Sequence, residues 1–391
     1  MASETLPVAA PSIKKEFETA QVITIAGGHF VHDMYTAFVA TLLPLLIEKL
    51  SLSLTMAGSL SAFLQIPGLL NPFIGYLADQ VNLRYLVILA PAITATLISS
   101  MGLAPNYLSL AVLLLVAGLS SAAFHAPAPA MTAEISRRKV GLGMSLFMAG
   151  GELAGALGPL LAVWAVSTWT LSGLYRVMVP GWAATLILFL RLQKVSTRVG
   201  KSASLKEIFP VIRTVFLPIV LINLMRLFLV ACLTVYLPTY MKIQGASLLV
   251  AGSSLSIVEV AAVAGALLSG TLSDRLGRKR VLFISVLVPV GVMLLFLNSA
   301  GWLQVLSLLA LGFTALAATP VLLAIVQDHL PDNRSTASGL IMFTNFVLNS
   351  VAIMGVGMLG DHFGLHTAFL VSALLSLLAI PPIFLLPKAK S

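Results

Sequence analysis

Eight ionisable side chains lie inside stretches that are otherwise apolar: Asp33, Glu152, Glu259, Arg176, Arg226, His29, His32 and His125. A charge held at the centre of a bilayer costs about 2.5–3.5 kcal/mol on insertion scales, so groups of this kind should face a cavity or one another. His29 and Asp33 are four residues apart, which on a helix puts them on one face about a turn apart. A carboxylate beside an imidazole in a low-dielectric cavity can titrate near working pH, because desolvation and charge coupling pull in opposite directions. That is proton-relay chemistry. The competing use of the same pair is structural, with Asp33 capping a break in the helix and His29 bonding a backbone carbonyl.

The remaining polar groups divide in the same way. His32 sits on a different part of the helix from Asp33, where it fills a polar gap or contacts a solute. His125 precedes Pro127 and Pro129, which free backbone carbonyls, so it either binds substrate or satisfies the break. Glu152 lies among Gly150, Gly151, Gly155 and the Gly158-Pro159 pair, residues that allow close helix approach. It is a candidate second proton carrier or cation-site residue, or else a protonated carboxyl bonding a neighbouring helix. The planar fork of Arg226 matches phosphonate or carboxylate oxygens, and Glu259 is either its ion-pair partner or a substrate ligand. Arg176 is placed to snorkel to an interface. Gln65, Asn71, Asn345 and Asn349 can line a cavity or bond between helices, and Gln65 and Asn345 are counted with the substrate-binding candidates.

These groups need a scaffold, and composition says what kind. Of 391 residues, 59% are hydrophobic and 9% charged, against roughly 25% charged in a soluble domain. The mean hydropathy is +1.02. So few charges exclude a soluble enzyme or a disordered scaffold and make lipid the main solvent. Apolar runs long enough to cross a hydrocarbon core of about 30 Å fall near 20–47, 54–78, 85–104, 107–131, 141–166 and 172–192. Six more follow near 211–240, 248–272, 281–299, 302–326, 337–360 and 365–386. The prediction is an all-α membrane protein of twelve transmembrane helices in two pseudo-symmetric six-helix bundles, 20–192 and 211–386. A tail at 1–19, a linker at 193–210 and a tail at 387–391 are assigned to the cytoplasm.

Net charge of +9 reads as topology, not as nucleic-acid binding. With both termini inside, cytoplasmic segments hold 19 of the 23 lysines and arginines, as the positive-inside rule requires. The N-terminus lacks a signal peptide's apolar core and cleavage site and reads as a short cytoplasmic tail; the chain is expected to be a multi-pass protein of the cell (inner) membrane. The single cysteine, Cys232, excludes an internal disulfide. No Gly-x4-Gly-Lys-Ser/Thr motif provides for ATP, and no enzyme is expected. His29, Asp33 and His125 would give three N/O ligands to a divalent ion if the first and fourth helices met, but no HExxH or cysteine cluster supports a metal. No cofactor is expected beyond the proton as coupling ion.

The two halves repeat. Gly75-Tyr-Leu-Ala-Asp79 recurs as Gly270-Thr-Leu-Ser-Asp274, and both Gly and Asp shift by 195 residues. Arg84 follows the first copy; Arg275 and Arg278 follow the second. Asp79 and Asp274 are placed to cap the next turn and pair with arginine, latching the bundles on the inner side. Gly158 and Pro159 join these five as gating candidates. A half-length repeat puts a substrate site between two bundles near mid-membrane.

The glycine–aspartate–basic pattern resembles the signature of the major facilitator superfamily. The segments His29-Phe-Val-His32-Asp33, Leu43-Pro44, Phe124-His125 and Gly150-Gly151 through Gly158-Pro159 resemble its fosmidomycin-resistance branch, as do Leu330-Pro331 and Ser338-Gly339-Leu340. Ala126-Pro127 and Glu152 depart from that branch. The resemblance implies a proton-driven exporter of drugs or small anionic compounds by alternating access, working as a monomer in the bilayer. Sequence leaves open an uptake symporter for an organic acid or siderophore, and more remotely a metal-handling membrane protein.

Overall fold

The computed structural model describes residues 17–195, 216–329 and 334–386, without the side chains of 79, 80, 138, 327–329 and 334–342. Most of the two predicted tails and of the linker lies outside the described residues. Every described element is helical.

Ten helical segments are long and apolar enough to cross a membrane once: α1 (Thr19–Leu50), α2 (Leu54–Ala78), α3 (Arg84–Leu103), α4 (Tyr107–Ser136), α5 (Val140–Trp169), α6 (Leu174–Leu192), α7 (Leu217–Ile243), α8 (Leu248–Leu276), α9 (Arg278–Leu297) and α10 (Trp302–Val326). An eleventh apolar stretch, Phe343–Leu385, is 43 residues long, about twice what one crossing needs. It turns at Gly364, whose φ of 79° lies in the left-handed region that glycine tolerates. It is therefore two spans, α11 (334–363) and α12 (365–385), and the described chain has twelve. Local sequence sets several starts: Ser53 and Ser247 accept from the N–H groups of Met56 and Val250, and Asn106 forms a capping box with Ser109.

Helices α1–α6 form one bundle and α7–α12 the other. Each has its own apolar core, with Tyr35, Phe38 and Leu42 in the first and Ile219, Leu282 and Val321 in the second. Large apolar side chains such as Leu267, Phe73 and Trp302 project outward, as expected when the surroundings are acyl chains. The bundles meet through α2 against α11 and α5 against α8.

Four spans are broken near their middles in symmetric pairs. Helix α1 breaks at Ala37 and α7 passes through a π turn beginning at Cys232, so the two interruptions are again 195 residues apart. Helix α4 breaks after His125 and α10 after Ala315, beside Pro127 and Pro320 respectively. Breaks in a bilayer must have their freed backbone groups met by neighbours, and the charged residues collect at these places.

Candidate functional site

Near the breaks in α1 and α4, these two helices and α5 converge. His29 Nε2 lies 3.0 Å from Asp33 Oδ2, and His125 Nε2 reaches from α4 to within 3.3 Å of Oδ1 and 3.4 Å of Oδ2. Each imidazole is held from behind. His29 Nδ1 is 2.8 Å from the Phe147 carbonyl on α5, and His125 Nδ1 is 2.9 Å from the Ser121 carbonyl. A carbonyl only accepts, so both Nδ1 atoms carry hydrogen and both Nε2 atoms face the carboxylate. The two Nε2···O contacts are both hydrogen bonds only when two protons are present. With one proton, one contact sets lone pair against lone pair.

Glycine on α5 makes room for this cluster. A Cβ on Gly151 would come within 2.6 Å of His29 Cε1 and 2.9 Å of its Nε2. Gly158 takes the same helix past Met34 and Ala37, at the break in α1. The His29 ring stacks on Phe147, with centroids 4.0 Å apart.

Asp33 and His125 open onto a cavity of ≈ 410 Å³ between the bundles, with Gln65 beside them and Glu259, Phe346 and Asn349 on the opposite wall. No lysine or arginine lines it among the described residues. Asn349 Nδ2 donates to Gln65 Oε1 at 2.7 Å, joining the two walls. Ser61 Oγ and Asn349 Oδ1 are buried here without a hydrogen-bond partner. Glu259 lies in coulombic range of Glu152, and Glu152 in that of Asp33 and His29.

The structure thus brings together Asp33, His29, His125, Gln65 and Glu259. Three other substrate candidates lie elsewhere. His32 is fully buried behind Asp33, its ring stacked on Phe124 with centroids 4.6 Å apart. Arg226 is buried in the second bundle and its pairing with Glu259 does not form. Its guanidinium donates instead to the Ala315 carbonyl at 3.0 Å, Thr319 Oγ1 at 3.0 Å and Asn223 Oδ1 at 3.2 Å. It thereby satisfies the break in α10, the role weighed for His125 at the equivalent break in α4. Asn345 accepts from Asn223 Nδ2 and belongs to the same network. Glu152 is exposed on α5 and outside the cavity wall. Arg176 stands exposed with its guanidinium 5.9 Å from the rings of Trp169 and Tyr175.

Of the gating candidates, the Asp79 side chain lies outside the described residues. Asp274 pairs with Arg278 one turn along, at 2.7 Å, so this ion pair stays within one bundle instead of latching two. Arg84 lies over the Tyr85 ring at 5.1 Å, and Arg275 is exposed. Sequence reasoning passed over Tyr236 and Asp361, which bond across the bundles; an acid just past the end of an apolar run looks like any loop charge.

His29, Asp33 and His125 also present one ligand atom each within 4.8 Å of one another. Their separations of 3.0–3.4 Å from the carboxylate are hydrogen-bond lengths, and are also of the order found between neighbouring ligands of one metal ion.

A cavity with polar and ionisable side chains between two six-helix bundles is the form of a secondary transporter. The chain belongs to the Major Facilitator Superfamily, whose family model matches residues 25–353 and 219–391. It is 25% identical over 398 residues to the fosmidomycin resistance protein of Escherichia coli (strain K12), covering 98% of both chains. An uncharacterized MFS-type transporter of Bacillus subtilis (strain 168) is likewise 25% identical, over 98% of this chain and 97% of its own. A bacterial homolog of the human lysosomal transporter Spinster, solved inward-facing and unoccupied, superposes with a TM-score of 0.81 at 15% identity, over 95% and 97% of the two chains. The protein is a multi-pass membrane transporter and not an enzyme.

Proposed function

We propose that the protein exports a small organic compound against inward proton flow, with Asp33, His29 and His125 as the proton-loading site. The observation that carries this reading is the geometry at Asp33: two imidazole Nε2 atoms, each fixed by a backbone carbonyl behind it, face one carboxylate on the cavity wall. Adding or removing one proton changes both the charge facing the solute and the contact holding α4 to α1. Binding of solute and proton is thereby linked to the geometry of the helices that rock.

Export is favoured by the full-length similarity to a fosmidomycin resistance protein, which also makes fosmidomycin the first compound to try. With Arg226 committed to the α10 break, an anion in the cavity would, among the described lining residues, meet positive charge on a protonated His125. The termini are assigned to the cytoplasm of an inner membrane and the working unit to a monomer, since the whole cavity is built from one chain.

The test is transport by purified protein in liposomes under an imposed pH gradient. Asp33→Asn is expected to lose gradient-driven accumulation while keeping passive exchange of labelled solute across equal pH. Equal driven accumulation in Asp33→Asn and wild type would overturn the coupling role.

A further inference from the structure

Hydrogen bonds are described between the bundles at two places. One is the Gln65–Asn349 bond at the cavity. The other is at the end of the molecule opposite the termini. There α2 begins, and the first N–H groups of a helix have no partner of their own. Ser53 accepts from Met56 N, but the N–H groups of Leu54 and Thr55 are taken by the other bundle: they donate to Asp361 Oδ1 and Oδ2, at 2.6 and 2.9 Å. A carboxylate on a helix N-terminus gains from charged hydrogen bonds and from the helix dipole together.

Directly beneath, Tyr236 of α7 is fully buried. Its hydroxyl lies 2.9 Å from the Ile353 carbonyl on α11 and 3.2 Å from the Leu54 carbonyl on α2. The phenol fits because Gly58 and Gly357 flank it. A Cβ on Gly58 would overlap the hydroxyl, and one on Gly357 would come within 2.6 Å of it. The apolar core of the second bundle takes in Leu43 and Ala57 of the first at this level.

We propose that Asp361 and Tyr236 are the positioning residues that latch this end shut. The carboxylate grips the start of α2, the phenol fills the Gly58–Gly357 slot, and both must release when the bundles rock to expose the cavity on that side. Asp361 is exposed at the rim, so water can reach it and exchange for the two N–H donors. Tyr236 gives the seal its depth.

This inference rests on the chain being a rocking two-bundle transporter, and not on which residues carry protons. Its test uses the full chain in lipid nanodiscs, spin-labelled at Leu108 and Trp302, exposed positions that begin α4 and α10 at the latched end. Pulsed electron–electron distance measurement then reports the separation of the bundles. Asp361→Asn loses the carboxylate charge and turns part of the acceptor into a donor. It is expected to raise the ratio of open to closed forms about tenfold, the worth of one charged hydrogen bond. Tyr236→Phe should shift it in the same direction, and Gly357→Ala further, since the added methyl bars closure. Ser247→Ala removes the cap that starts α8 at the same end, a hydroxyl bonded to Val250 N of its own bundle, and should leave the distances as in wild type. Unchanged distances in both Asp361→Asn and Tyr236→Phe would overturn the latch, as would an equal shift in Ser247→Ala. Loss of proton coupling in Asp33→Asn with these shifts intact, or the reverse, separates the two proposals.

Discussion

Asp33 has one charge to share between two imidazoles, and the backbone decides how they present themselves. Because Phe147 and Ser121 carbonyls hold both Nδ1–H groups, the exchangeable protons are confined to the side facing the carboxylate. The two histidines differ in access: the His125 side chain is 32% exposed and that of His29 5%. If the cluster loads protons as proposed, His125 is the imidazole better placed to exchange them with the cavity. His125→Gln, which keeps a hydrogen-bonding side chain but cannot carry charge, is expected to slow gradient-driven transport about a hundredfold or more, as in the 10²–10⁴ range of proton-transfer groups, and to flatten its dependence on cavity-side pH. An unaltered pH profile of initial rates would assign the exchange to another residue.

The pair at positions 29 and 33 was legible in the sequence because helical spacing alone fixes it. Its third member, His125, stood beside two prolines and could be grouped with the pair only on the condition that the first and fourth helices meet. That α4 breaks at the level of Asp33 and swings His125 Nε2 onto it is a tertiary fact.

Helix breaks and glycine contacts place these groups. Gly151 lets α5 pass against the His29–Asp33 pair, so Gly151→Ala should push the ring away from the carboxylate. A displacement of about 1 Å can cost up to 10²-fold in a positioned site, and a loss of at least tenfold in driven transport is expected with thermal stability near wild type. Gly141, whose Cβ would meet nothing within 4 Å, supplies the control, since Gly141→Ala should transport normally. In the second bundle the buried charge serves the fold. Arg226→Ala strands the Ala315 carbonyl, Thr319 Oγ1 and Asn223 Oδ1, at about 1–3 kcal/mol for each buried group left unpaired. Its melting temperature in detergent should fall by several degrees, with solute affinity little changed below the transition. A loss of affinity at unchanged melting temperature would restore Arg226 to the solute site. The sequence offered Arg226 as an anion ligand because an intramembrane guanidinium is costly and must have a use; it could not say that the use was a broken neighbour.

At the scale of the whole molecule, two bundles meet at a cavity and, among the described residues, are hydrogen-bonded beyond it at the end opposite the termini. Asp274–Arg278 stays inside its bundle. These bonds hold the bundles together at the end opposite the termini. Orientation follows from where the bases lie: a reporter that works only in the cytoplasm should be active when fused after Ser391 and inactive when inserted at Gly245, in the turn between α7 and α8. Activity at Gly245 would reverse the assignment of the sides.

The amino-acid sequence by itself determined the solvent, the number of spans, the two-fold repeat and the scarce charges worth attention. Each follows from local quantities: hydropathy over about 20 residues, the bias of lysine and arginine, the 195-residue offset, and the cost of a charge in lipid. Tertiary structure alone decided which of those charges share a site. His125 joined Asp33, Arg226 turned away from Glu259, and Asp361 found the start of α2, 307 positions away in the chain. Such pairings depend on how broken helices are stacked and rotated, and a bilayer penalises every unpaired group equally wherever its partner lies in the chain.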